Sequence, residues 1–128
     1  MAAEKAEELS DCKKLNSVEF PNKNKLIIKG KYNVGKDGKI DQKVVEKEWQ
    51  KYGFSCDYYL EDKPGKEWST FIHQQDEIGC IIKGKLEFNI DGNISIVSTG
   101  DEMLVPKGTK HSCKNIDKGN TIWILGYN

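Results

Sequence analysis

From Phe54 onward the chain alternates. Phe54, Cys56, Tyr58 and Leu60 are separated by Ser55, Asp57 and Tyr59, the period of two that marks a half-buried strand. Asp62-Lys63-Pro64-Gly65 then forms a turn, with Pro preset for its second position. Beyond it the apolar positions predict short strands over 66–73, 77–83, 85–90, 93–98, 102–105, 111–116 and 121–127. Asp91-Gly92, between two alternating runs, predicts a tight hairpin. Thr99-Gly100-Asp101, Pro106-Lys107-Gly108 and Lys118-Gly119-Asn120 punctuate the rest. Short strands, frequent turns and no long amphipathic helix predict an all-β sandwich or barrel.

Upstream the pattern is weaker. Leu26-Ile27-Ile28, with Gly30, Gly35 and Gly38 behind it, predicts one or two edge strands within 16–42. Residues 43–52 are mixed. Val44 and Val45 favour a strand, whereas Lys43, Glu46, Lys47 and Glu48, with Gly53 beyond, favour a helical turn. The reading adopted is a strand and a short turn. In residues 1–15, Ala3, Ala6 and Leu9 fall near one helical face, but the apolar residues are few, so a frayed helix or disorder is expected. The chain thus divides into a flexible or helical arm, 1–19, and a barrel domain, 20–128.

Composition narrows the function classes. At 128 residues one domain with a real core is expected. Lys plus Arg and Asp plus Glu are 20 each, and a net charge of zero gives no case for nucleic acid or an anionic membrane. Every basic residue is Lys, so the forked guanidinium that grips a carboxylate or phosphate at two points is missing. No apolar run resembles a secretory signal or a membrane span, and a cytoplasmic protein is expected. The four cysteines, Cys12, Cys56, Cys80 and Cys113, show no C-x-x-C spacing and read as reduced thiols, with Cys56 and Cys80 as small buried hydrophobes.

The chemistry gathers in two stretches that hold both histidines. In the first, Gly65 is followed after five residues by Phe71-Ile72-His73, after three more by Glu77 and after six more by Gly84. In the second, Gly100 is followed after five residues by Pro106-Lys107-Gly108, after two more by His111 and after three more by Asn115. These spacings, 15 residues apart, resemble the paired motifs of a small single-domain cupin over 54–127. The resemblance implies an RmlC-like jelly-roll barrel, the cupin double-stranded β-helix, with an N-terminal extension. It also implies a metal site.

At one position the chain departs from the family pattern. Phe71 stands where the first histidine of H-x-H would be. Carried over residue by residue, the ligand set becomes His73, Glu77 and His111. Two imidazoles and a carboxylate suit one divalent transition metal, Fe(II) first, with Mn, Ni, Co or Zn as other fits. On a strand, residues two apart share a face, so Phe71 walls the pocket beside His73, and Cys113 looks into it beside His111. Cys113 is then an inert lining residue, a reactive thiol or a soft fourth ligand. Tyr58, Tyr59, Trp68 and Trp123 are core or dimer aromatics, one of them closing the pocket mouth, with Tyr58 placed among the lining residues. Gln74, Gln75 and Asp76 form a solvated rim, with Gln75 as a candidate substrate contact.

The implied function is a metal-dependent enzyme acting on a small molecule, of dioxygenase type with iron, or of isomerase or lyase type with a redox-inert metal. The absence of Arg argues against thiol dioxygenase-like activity on amino acids. The alternative is a non-catalytic small-ligand-binding cupin with a degraded, metal-free pocket. A homodimer is expected, with residues 20–34 supplying an exchanged edge strand.

Overall fold

The computed structural model describes residues 26–128, so the N-terminal arm (1–19) and Cys12 lie outside the described residues. In chain order the elements are β1 (Ile27–Ile28), α1 (Gln42–Lys51), β2 (Tyr58–Asp62), β3 (Glu67–Phe71), β4 (Glu77–Lys83), β5 (Lys85–Ile90), β6 (Asn93–Ser98), β7 (Glu102–Val105), β8 (His111–Asn115) and β9 (Thr121–Tyr127). They form two antiparallel sheets, one ordered β1-β7-β4-β9-β2 and the other β3-β8-β5-β6, stacked as a jelly roll. Every strand expected beyond residue 65 is present, with ends shifted by a residue or two in β3 and β8. The β5–β6 hairpin turns at Asp91 and Gly92, with φ of 52° and 87°, the double left-handed geometry of a tight two-residue turn. β1 pairs within its own chain, with Ile27 opposite Met103 of β7.

The core has two compartments because the five-stranded sheet is covered on both faces. Between the sheets, Leu86, Phe88 and Ile90 of β5 meet Ile81, Trp123 and Leu125. The other face of β5, with Lys85 and Glu87, is not buried, so β5 alternates as a half-solvated strand does. β4 and β9 do not alternate. Ile78, Cys80, Ile122 and Ile124 pack outward against Val45 and Trp49 of α1, so both faces of these strands read as apolar.

Residues 42–51 are therefore a helix, and the expected strand and turn at 43–52 is corrected. Val44 and Val45 carry local β propensity, but Val45 and Trp49, four apart, bury one helical stripe against the sheet. The Asp41 carboxylate caps the start by accepting from Lys43 N at 3.0 Å. At the other end Phe54 N donates to Trp49 O and Gly53 N to Gln50 O, both at 3.1 Å, a Schellman closure with Gly53 at φ 80°. A buried carboxylate joins this layer to the sheet. Glu102 Oε1 accepts from Tyr32 Oη at 2.7 Å and Trp49 Nε1 at 2.8 Å, and Oε2 pairs with Lys31 Nζ at 2.7 Å.

Two glycines are fixed by contact. Gly84, at φ 116°, packs on β9, where a Cβ would come within 2.9 Å of Thr121 Cα. Gly126 lies under the Ser55 backbone, where a Cβ would collide with the Ser55 carbonyl. Among the described residues no helix is long and apolar enough to cross a membrane.

Candidate metal centre

His73 lies in the connection after β3, Glu77 opens β4 and His111 opens β8. The three thus come from both sheets and the connection between them, and they meet at one end of the lumen. The turns of the two motifs are tied directly. Gly108 N donates to His73 O and Lys107 N to Asp76 Oδ1, each at 2.8 Å. These bonds hold the two imidazoles with ring centroids 4.8 Å apart.

All three side chains are buried. Glu77 Oε1 lies 3.1 Å from His73 Nε2 and 3.3 Å from His111 Nε2. Two donors each about 2.0–2.2 Å from an ion stand about 2.8–3.6 Å apart between a right and a tetrahedral angle, so these separations match a shared ion. The donor atoms of all three residues fall within 4.8 Å of one another. His111 Nδ1 lies 3.1 Å from Thr109 O, the contact that places the proton on Nδ1 and frees Nε2 as the ligand atom. The residues present therefore fit a divalent transition metal in number, type and spacing.

The electrostatics follow from this convergence. Burial pushes the Glu77 carboxyl up, but hydrogen bonds from His111 and His73 and their charge outweigh it and hold the pKa down to about 2. Burial pushes His111 down, and the Glu77 hydrogen bond and charge more than reverse this, leaving it raised. Tyr127 Oη donates to the same Glu77 Oε1 at 2.9 Å. Burial, then the Glu77 charge and hydrogen bond, raise this phenol far above its ordinary value, so it stays a neutral donor.

Phe71 pairs across β3–β8 with His111, and its ring lies nearly parallel to that of His73 at 6.1 Å between centroids. It forms a wall of the lumen with Leu60, Phe88 and Leu125. Cys113 lines the same cavity, but burial and the charges of Glu77 and Asp62 raise its thiol well above the usual range, the reverse of what a reactive thiol needs. Two expected lining residues lie elsewhere. Tyr58 packs at the margin of the inner core, outside the cavity wall. Gln75 turns away, its Nε2 donating to Asn128 O. Asn115, last residue of the second motif, bridges the turn after β8, donating to Asp62 O and Gly119 O and accepting from Thr121 Oγ1, and touches no donor of the site.

The sequence reading does not include Tyr127, Leu60 or Leu125. Only the strand register reveals Tyr127, because it stands directly opposite Glu77 in the β4–β9 pairing. Asp62 is also new. Its Oδ2 accepts from Trp68 Nε1 at 2.8 Å and Trp123 Nε1 at 2.9 Å. Asp62 pairs with Thr121 and Glu77 with Tyr127, so their backbone partners lie about 20 Å apart along β9.

The sequence model of the family described as Cupin domain matches residues 58–127. No curated protein matches the chain. Among solved structures the chain is similar to a salicylate 1,2-dioxygenase from Pseudaminobacter salicylatoxidans, at 15% identity and TM-score 0.52, covering 58% of this chain and 20% of that one. It is similar to KdgF from Halomonas sp., at 18% identity and TM-score 0.51, covering 58% and 76%. It is also similar to the Cnp3 cupin domain of Schizosaccharomyces pombe, at 20% identity and TM-score 0.52, covering 58% of each. Identities this low carry the fold alone, and the chain spans only a fifth of the dioxygenase.

Proposed function

The chain belongs to the cupin family, and we propose that it is a metal-dependent enzyme acting on a small molecule, with His73, Glu77 and His111 as the ligands. The observation that carries this reading is the buried convergence of His73 Nε2 and His111 Nε2 on Glu77 Oε1, at 3.1 and 3.3 Å. Fe(II) is the favoured ion, and Mn, Ni, Co or Zn fit the same donors. When bound, iron supplies dioxygen activation, whereas a redox-inert ion supplies Lewis acidity for an isomerase or lyase step.

The chain's own residues shape the rest. The Thr109 carbonyl fixes the tautomer of His111, and the Tyr127 hydroxyl holds Glu77 and keeps its proton at neutral pH. Phe71, Leu60, Phe88 and Leu125 keep bulk water from the site. Among the described residues no lysine lines the cavity. The lumen is about 30 Å³, counted as room for the centres of water molecules, which is about two waters. A space of this size favours dioxygen- or water-sized ligands at the ion over a sugar or another bulky ligand.

The test is elemental analysis of untagged protein, wild type against His73→Ala. About one iron or manganese per chain, lost in the variant, is expected. Wild-type protein that holds no stoichiometric metal and takes up neither Fe(II) nor Mn(II) anaerobically would overturn the reading in favour of a non-catalytic ligand-binding cupin. We further propose a cytoplasmic homodimer. Light scattering at micromolar concentration is expected to give twice the chain mass, and a clean monomer removes the dimer.

A further inference from the structure

The wall of the lumen is irregular at the β3–β8 seam. The ladder pairs Glu67 with Lys114 and Trp68 with Cys113, then slips before resuming at Phe71 and His111. β3 is the outer strand of its sheet, so nothing beyond it braces the slip among the described residues. Outside this seam lies a groove of about 300 Å³ over the four-stranded sheet. Trp68, Ser112 and Cys113 line both the groove and the lumen. The backbone of β3 and β8 therefore separates the two spaces, and the largest side chain beside it on the lumen face is an indole.

The Trp68 side chain packs against the inner core. It is half-buried. One hydrogen bond, from Nε1 to Asp62 Oδ2, tethers it, and Lys66 Nζ sits 4.6 Å from the centre of its ring. The partner carboxylate does not depend on it, because Asp62 Oδ2 keeps the Trp123 Nε1 donor at 2.9 Å. Trp123 is itself buried and braced edge-on by Phe88 at 5.9 Å. Removing the Trp68 indole therefore leaves no buried charge without a donor, and the strands keep their other pairings.

We propose that Trp68 is the specificity-determining residue of the lumen. Its indole fills the lumen beside the β3–β8 seam and limits what enters to one or two molecules the size of water or dioxygen. An apolar cavity of about 150 Å³ takes up benzene. The lumen, at about 30 Å³, is well below that threshold with the indole in place. Without the indole the lumen gains the room of that ring, walled by Leu60, Phe88, Cys113 and Leu125. The inference goes beyond the metal reading, since the size of the lumen does not depend on an ion.

The probe is indole, the group that the substitution removes. Titration calorimetry on the full-length protein compares wild type, Trp68→Ala and Trp68→Phe, with far-UV circular dichroism as the check on folding. Indole is expected to bind Trp68→Ala about tenfold or more tighter than wild type, the mark of a removed steric barrier. Trp68→Phe, which keeps a ring in the seam, is expected to stay near wild type. Amide shifts on binding should fall on Leu60, Cys113 and Leu125. A folded Trp68→Ala that binds no indole, a wild type that binds it equally well, or shifts confined to the outer sheet face would overturn the proposal. Should Trp68→Ala fail to fold, Trp68→Leu carries the same test with the same outcomes.

Discussion

Replacing Glu102 by Ala removes the acceptor that joins the helical layer to the sheet. Tyr32 Oη and Trp49 Nε1 both donate to Oε1, and both residues are buried, so neither finds water in exchange. Each stranded donor costs about 1–3 kcal/mol. Lys31 loses its 2.7 Å partner but retains some exposure and has Glu48 at 3.8 Å, so its share is small. The expected loss is about 3–5 kcal/mol, the range seen when one partner of a buried pair is removed. That is a large part of a stability of about 5–15 kcal/mol.

Urea unfolding followed by tryptophan fluorescence reads this directly. With a slope of about 2 kcal/mol per molar urea, the midpoint should fall by about 2 M. Glu102→Gln is the informative companion. Its amide oxygen can still accept from Tyr32 and Trp49, and only the pairing with Lys31 is spoiled, so a loss of about 1–2 kcal/mol is expected. Glu102 belongs to the outer compartment with α1, so folded Glu102→Gln should bind metal as the wild type does. The reasoning fails if Glu102→Ala loses less than about 1 kcal/mol, or if the Gln variant is as damaged as the Ala variant.

Three further outcomes are expected. Tyr127→Phe removes the hydroxyl that holds Glu77, and metal affinity by calorimetry should fall about 10–100-fold while the strand pairing survives; unchanged affinity counts against its positioning role. Glu77 has a folded pKa of about 2, below its ordinary value of 4.5, so in chelator-treated protein its stabilisation is present above pH 4.5 and is lost as pH falls toward 2. The urea-midpoint gap between wild type and Glu77→Gln should therefore shrink across that window, and a constant gap would refute the assignment. The raised thiols of Cys80 and Cys113 should resist iodoacetamide at pH 8 in the native state, as peptide mass spectrometry would show; rapid labelling of either sinks that account.

Local patterns revealed the jelly roll wherever chemistry and geometry coincide. Asp91-Gly92 adopts the only backbone that suits it, and Pro106-Lys107-Gly108 sets the turn before His111. The site was legible through spacing, because the same two turns that place His73 and His111 are hydrogen-bonded to each other. What was hidden depended on distant partners. α1 is a helix because an outer sheet face waits for Val45 and Trp49, a fact absent from the local sequence. Tyr58 shares a face with Leu60, yet only Leu60 reaches the lumen, since parity gives direction and not depth. Tyr127 and Asp62 acquire their roles from cross-strand register, which no window of neighbouring residues contains.

The position of β9 has a consequence for how the molecule is made. It is the latest of the described strands in sequence, yet it lies inside its sheet, flanked by β4 and β2. On the ribosome, β4 and β2 must wait with open hydrogen-bonding edges until residue 127 has emerged, and the hydroxyl that holds Glu77 is the latest part of the site to arrive. A chain stalled before that point would expose both edges at once, so folding of this domain should lean on chaperones in proportion to how slowly residues 121–127 are translated.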